Sequence, residues 1–365
     1  MKDKVKIIAI HLPQFYPFKE NNNWWGKGFT EWTNVVDTQP KFKSHYQPHL
    51  PADLGFYDLR LEEARLAQET LAKEYEIYGF CYYHYWFNGK QLLNEPVERK
   101  LKNFKEDLPF MLCWANETWS RTWTGKEKEI LIAQSYSLED HKNHIQHLIK
   151  NIFKDERYIK IDNKPFVAIY RPSQIPVLKE MVNLWEEECK KAGFNGIHLA
   201  YMMSEGFKVN PSEINFNASI EFKPDFISNP PHKKASLIYR ILSKLKIYRS
   251  VLTKNHVIDY NDFVKHQLNL EEITWKNYKG VTPMWDNSAR RKNTHAFILH
   301  NSTPEGYQNW LENVMKKSLN KDLNDNFIFI NAWNEWAEGN HLEPCKKWGL
   351  RYLEATKNAI QNHKH

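Results

Sequence analysis

The sequence predicts a single (β/α)8 TIM barrel with elaborated loops, residues 1–365 forming one catalytic domain. Three observations carry this. Eight short apolar, β-rich runs recur; helix-period patterns separate most of them; and glycine is scarce, with 13 in 365 residues against a usual share of about 7%. Continuous apolar runs suit strands buried on both faces, and strands alternating with helices give a parallel sheet. GxGxxG and GxxxxGK[ST] are both missing, so a doubly wound nucleotide-binding sheet has no phosphate cradle of those kinds.

The first run is KIIAIH, Lys6 to His11, closed by a histidine and two prolines. A helix follows over about Leu59 to Tyr78, with Ala64, Ala67, Leu71 and Tyr75 on one stripe, Asp58 placed to cap its start and Gly79 to end it. The second and third strands are GFCYYHYWF, Gly79 to Phe87, and LPFMLCW, Leu108 to Trp114. The helical pattern after them carries His141, His144 and His147. That spacing sweeps around a helix and lacks a carboxylate partner, so it is read as a surface helix and no metal is expected. The fourth, fifth and sixth strands are PFVAIY (Pro165 to Tyr170), GIHLAYMM (Gly196 to Met203) and ASIEF (Ala218 to Phe222). GVTPMW, Gly280 to Trp285, and FIFINAW, Phe327 to Trp333, complete the set.

Between the sixth and seventh strands lies a basic insertion at about 231–256. Its stretch 232–254 carries seven lysines and arginines and no acidic residue. It fits a solvated helix packed on the barrel, or a peripheral contact with an anionic membrane surface. The formal net charge of +7, with 26% charged residues, is well short of a dedicated nucleic-acid binder, so no nucleic-acid partner is expected. Cysteines 81, 113, 189 and 345 form no CxxC pair and are expected to be reduced. The apolar run Val5 to Ile10 is too short for a signal-peptide core or a membrane span, which makes a cytoplasmic location the expectation.

Side chains at the C-terminal ends of barrel strands converge on one face. Here those exits hold His11; His84 and Trp86; Trp114, Asn116 and Glu117; Tyr170 and Arg171; Trp285; and Asn334, Glu335, Trp336 and Glu338. Unpaired carboxylates are disfavoured in a core, so this convergence implies a polar ligand, and a sugar offers both hydroxyls for the amides and C–H faces for the rings. Several residues keep a second reading. His11 and His84 bind sugar or are satisfied by backbone, Glu117 binds a hydroxyl or pairs with Arg121, and Arg171 clamps the ligand or forms a structural ion pair. Trp32, in a loop, is expected to serve as a stacking platform. Glu335 and Glu338 are i, i+3 neighbours, a spacing common on charged helices. At a strand exit it places two carboxylates in one small volume, raising the proton affinity of one, as glycosidic cleavage needs.

The motifs AWNEWAEG (Ala332 to Gly339) and HLEP (His341 to Pro344), with HLPQFYP at 11–17, WWGKGFTEWTNV at 24–35 and WANETWSRTW at 114–123, resemble the WbsX-type proteins. These are related to glycoside hydrolase family 99, the endo-α-mannosidases. The resemblance covers nearly the whole chain. It implies a (β/α)8 barrel and a retaining mechanism in which Glu335 acts as base on the sugar 2-hydroxyl, giving a 1,2-anhydro intermediate. Glu338 is then the acid at the leaving oxygen and the activator of water. Ala337 stands where the endo-mannosidases usually have His. No cofactor is implied, and the substrate is an oligosaccharide or polysaccharide with α-linked, mannose-like sugars. WbsX-type proteins are also labelled glycosyltransferases of lipopolysaccharide or capsular polysaccharide assembly, which leaves transfer to a sugar acceptor as the alternative. A third reading, a binding protein with a decayed site, is opposed by the retention of both glutamates.

Overall fold

The computed structural model describes residues 5–121, 126–231, 241, 255–291, 295–318 and 325–363. Eight barrel strands are present: β1 (Lys6–His11), β2 (Gly79–Phe87), β3 (Phe110–Trp114), β4 (Lys164–Ile169), β5 (His198–Met203), β6 (Ala218–Glu221), β7 (Asn277–Val281) and β8 (Phe327–Ile330). The seventh starts three residues before the expected Gly280–Trp285 run and shares only Gly280 and Val281 with it, Trp285 pairing in a separate small sheet. Each barrel strand pairs in parallel with its neighbour in sequence. β8 returns to β1 with Ile7 opposite Ile328, so the barrel is closed. Closure leaves the strands buried on both faces, which is why they read as continuous apolar runs. Gly280 marks the tightest approach: a Cβ there would lie 1.9 Å from the Glu221 carbonyl oxygen, so β6 and β7 meet only because position 280 has no side chain.

Outside the barrel lie α1 (Glu62–Glu74), α2 (Glu95–Lys102), α3 (Leu138–Leu148), α4 (Leu178–Lys191), α5 (Tyr260–Leu268), α6 (Pro304–Ser318) and α7 (Arg351–Asn362). β5 passes to β6 through a single 3-10 turn, Pro211–Ile214, in place of a helix. After β3, strands Trp119–Arg121 and Lys126–Ile132 form a hairpin. Beyond β7, Trp285–Asp286 pairs with Phe297–His300, which also pairs with His256–Asp259. The basic stretch 232–254, with its expected membrane contact, lies outside the described residues apart from Ile241. Among the described residues no helix is long and apolar enough to cross a membrane, and all four cysteines are free and buried.

Two helices differ from the sequence reading. α1 begins at Glu62, and Asp58 does not cap it; its carboxylate instead accepts the Arg60 backbone N–H at 2.8 Å and pairs with the Arg60 guanidinium. Of the expected stripe, Tyr75 is buried and Ala64 and Leu71 pack partly buried on the core, but Ala67 is exposed, and the fully buried face of the helix is Arg65, Gln68, Glu69 and Ala72. The polar residues succeed there because each has a buried partner. Arg65 grips Glu106 through two hydrogen bonds, and Lys100 Nζ reaches Glu69 at 2.6 Å. Desolvation pushes the Glu69 carboxyl up and the Lys100 ammonium down, and their attraction opposes both shifts. In α3, His141 and His144 are fully buried, so this is not a surface helix. The His144 ring stacks on Trp86 at 4.6 Å and meets Trp114 edge-on at 4.8 Å, and Trp185 donates to the His141 carbonyl.

Removing one partner of a buried pair strands the other charge. Lys100→Met is therefore expected to lower the unfolding free energy by about 3–5 kcal/mol, and adding Glu69→Leu to recover most of that loss, measured by urea denaturation. Equal losses in the single and double variants would show that the pair is not coupled.

Candidate active site

The strands' C-terminal ends open into a cleft of about 600 Å³. After β8 the chain makes a two-residue bridge, Asn334–Glu335 against Asn340–His341, around a 3-10 turn at Trp336–Glu338. Gly339 closes the turn at φ +52, and a Cβ there would lie 2.9 Å from the Asp286 carbonyl oxygen. This reversal brings both Glu335 and Glu338 to the cleft wall. Asn334 fixes the base of the turn: its side chain accepts the Leu12 N–H at 2.7 Å and donates to the Leu12 carbonyl at 3.0 Å, tying the exit of β8 to that of β1.

Arg290, from the loop after β7, is the centre of the site. Its Nη1 donates to Glu338 at 2.6 Å, its Nη2 donates to Glu335 at 2.9 Å, and Nη2 also stands 3.3 Å from the fully buried Glu31. Three carboxyl groups thus face one guanidinium. One positive charge cannot balance three negative ones in a low-dielectric pocket, which favours the neutral form of the most buried carboxyls. Burial pushes Glu335 up to about 8, with Glu338 and Glu31 raising it further and Arg290 opposing them. Glu31 is likewise pushed up by burial. Arg290 itself is held well above its ordinary value: burial works against its charge, and the attraction of Glu31, Glu338 and Glu335 prevails.

A second cation lies on the β3–β5 side of the cleft. Arg171 donates from Nε to Glu117 at 2.8 Å, pairs with Glu205 at 2.7 Å, and sits over the Tyr170 ring at 4.7 Å. Asn116 positions it, accepting the Arg171 N–H at 2.8 Å and donating to its carbonyl at 2.9 Å. Glu117 is pushed up by burial and pulled back by Arg171. Of the residues singled out from sequence, Glu117, Tyr170, Arg171, Trp285, Glu335 and Glu338 line the cleft. Arg171 is Glu117's partner here.

The remaining eight do not line it. His84 and Trp86 occupy positions of β2 that face the helix layer: His84 Nε2 is 2.9 Å from His144 Nε2, and Trp86 donates to Asp140. Trp114 packs on His144 and Trp185, and Asn116 stands behind Arg171. His11 bonds Gln68 of α1 at 3.2 Å. Trp336 stacks on His341 and donates to Glu343 at 2.6 Å. Trp32 donates to the Tyr57 carbonyl and packs on Trp336, so it is a wall behind the turn and not an open platform. Asn334 bonds backbone, as described above. Side chains of a strand alternate between faces, and the exit position alone does not say which face is which. On β2 the cleft takes Tyr83 and Tyr85; the sequence reading placed Tyr85 at the second exit and Trp119 among the loop rings, and passed over Tyr83, Glu31 and Arg290. The signal for Arg290 was present in the pair Arg290–Arg291 just beyond the seventh exit, where converging carboxylates call for a cation.

Among the described residues no group of His, Cys, Asp and Glu has the arrangement of a metal site. Fold and cleft together define a glycoside-hydrolase-like TIM barrel. The sequence profile described as glycosyltransferase WbsX matches residues 7–356, and the chain belongs to that family. Two proteins called uncharacterized protein WxcX, from two strains of Xanthomonas campestris pv. campestris, are 38% identical over 356 residues. That alignment takes in 97% of this chain and 49% of theirs, so the chain spans about half the length of the curated relatives it matches. Among solved structures, a glycoside hydrolase-like protein has a TM-score of 0.60 at 11% identity, covering 98% of this chain and 94% of its own. The family 99 endo-α-mannosidase of Bacteroides thetaiotaomicron has a TM-score of 0.57 at 12% identity, covering 98% and 97%. These likenesses show a shared fold.

Without Arg290, Glu335 and Glu31 lose the cation that holds their proton affinities down, and these rise further. A carboxyl whose folded pKa lies above its unfolded value stabilises the fold at low pH and loses that contribution as pH climbs through the folded value. Arg290→Met is thus expected to be destabilised by about 3–5 kcal/mol at pH 8.5 and by clearly less at pH 5.5, as read from urea midpoints. A loss independent of pH would refute the clamp.

Proposed function

We propose that the chain is a carbohydrate-active enzyme, a retaining glycoside hydrolase of α-linked, mannose-like glycans, with the barrel as its catalytic unit and Glu335 and Glu338 as the catalytic pair. The observation that carries this reading is the pairing of the two on one guanidinium at the wall of an aromatic cleft, with Glu335 raised to about 8. Glu335 is 4% exposed, whereas the Glu338 side chain is 20% exposed. The inner carboxylate suits a base that takes the proton of the sugar 2-hydroxyl, and its raised proton affinity strengthens it for that step. The freed O2 attacks the anomeric carbon as Glu338 protonates the departing oxygen. Glu338, now ionised and open to solvent, takes a proton from water as the water oxygen adds to the anomeric carbon. The three-membered ring opens and O2 recovers its proton from Glu335. The fold shared with the endo-α-mannosidase and the AWNEWAEG motif support this assignment.

The family description as a glycosyltransferase favours a second reading on the same first half-reaction, with an acceptor hydroxyl in place of water. Product analysis with and without an acceptor sugar separates the two. Net release of reducing ends in both conditions supports hydrolysis, and product formed only with acceptor supports transfer.

Glu335→Gln and Glu338→Gln should each lower kcat on an α-linked oligosaccharide by about 10²–10⁴-fold, with ligand binding by calorimetry retained; near wild-type turnover in either removes that residue from the pair. A base must be ionised to act, so kcat/KM should rise tenfold per pH unit and level off near 8, where Glu335 titrates. A decline above 8 in its place would assign Glu335 the acid role.

A further inference from the structure

The described arginines follow a rule with one exception. Every other arginine whose side chain is described pairs with a carboxylate. Arg291 has no such partner among the described residues, and it lines the cleft. Only its backbone is engaged: its N–H reaches the Asn287 and Ser288 carbonyls, and its own carbonyl accepts Lys41 Nζ at 3.2 Å. The carboxylates lining the cleft are already committed, Glu335 and Glu338 to Arg290, and Glu117 and Glu205 to Arg171. A half-buried guanidinium left unmatched beside four committed carboxylates lacks an anion among the described residues.

The surroundings say what carries that anion. Asn287, which receives the Arg291 N–H, also accepts the N–H of Phe297 at 2.9 Å, so Arg291 is tied to an aromatic wall. In that wall Phe226 meets Trp285 at 5.3 Å and Phe297 at 5.2 Å, each edge-on, and Phe226 remains 44% exposed. Rings of this kind take the C–H face of a sugar. His256 and His295, with rings 6.2 Å apart, line the same cleft. Arg290 and Arg291 leave the same short turn, Asn287–Ala289, so the free guanidinium stands next in sequence to the one that clamps the carboxyl pair.

We propose that the cleft takes an acidic glycan, whose carboxylate or phosphate substituent is bound by Arg291 while its sugar ring lies on the Phe226–Trp285–Phe297 wall. A planar fork of N–H donors matches both oxyanions in the same bidentate way. This subsite rests on the carbohydrate reading of the cleft and narrows it to charged substrates.

The test is calorimetric titration at low ionic strength with methyl α-glucuronide, neutral methyl α-glucoside and inorganic pyrophosphate, on the wild-type chain and on Arg291→Ala and Arg291→Lys. The glucuronide is expected to bind about tenfold tighter than the glucoside, the effect of one charge-assisted pair. Arg291→Ala should remove that advantage without weakening the glucoside, Arg291→Lys should keep part of it, and added salt should shrink it. Pyrophosphate binding that depends on Arg291, with no glucuronide preference, assigns the anion to a phosphate-bearing glycan. Equal affinity for all probes, or an anionic advantage that survives Arg291→Ala, overturns the proposal. Glucoside binding without anionic preference discards the subsite and leaves the carbohydrate reading standing; Arg291-dependent pyrophosphate binding with neither glycoside bound keeps the anion site and discards the glycan. Thermal melts report whether each variant is folded, which is expected because the hydrogen bonds of Arg291 to described residues run through its backbone.

Discussion

Arg290 is the charge on which the site depends. Three carboxyl groups from three separate segments converge on it: Glu31 from the long connection after β1, and Glu335 and Glu338 from the turn after β8. Bringing three carboxylates together in a buried place is strongly unfavourable, and a single guanidinium relieves only part of the cost. Burial accordingly pushes Glu335 and Glu31 toward their protonated forms, against the pull of Arg290.

Behind that pocket the barrel is stiffened by a second polar layer. Glu343 accepts from Tyr57, Gln68 and Trp336, and burial pushes it up to about 7. Gln68 in turn meets His11, so α1 is joined to the exits of β1 and β8 through side chains alone. The α1 groups and Asn334 survive burial because partners from distant segments satisfy them, whereas the α3 histidines His141 and His144 are held mainly by ring packing, with His144 Nε2 alone meeting a partner among the described residues, His84. These groups hold the turn Trp336–Glu338 from behind, while the cleft in front keeps its aromatic walls.

The barrel and the motifs place the chain in the WbsX family, and the cleft chemistry is shared by cleavage and transfer. In the proposed reactions the two would part only at the second step, where water or an acceptor hydroxyl arrives. Glu338 is the more exposed of the two carboxyls on Arg290. Trp285, Phe297 and Arg291 line the cleft beside Arg290, on the side of the β7 loop.

The order of the barrel strands was legible in the sequence by itself, though the seventh lies three residues earlier than its apolar run suggested. Burial on both faces forces an uninterrupted apolar run, and no other arrangement of eight such runs with intervening helices closes as simply. The pair Glu335 and Glu338 was legible for a related reason, since a strand exit followed by a turn puts i and i+3 side by side. What only the tertiary structure decided was direction and partnership. Strand alternation sends Tyr83 and Tyr85 into the cleft and His84 and Trp86 behind it, and which of the two parities faces inward depends on the closed sheet. The burial of Arg65, Glu69, His141 and His144 likewise has no local signal, because the groups that satisfy or cover them come from elsewhere in the chain. Arg290 joins residues 31, 335 and 338 across the barrel mouth, and such a contact exists only once the barrel has closed.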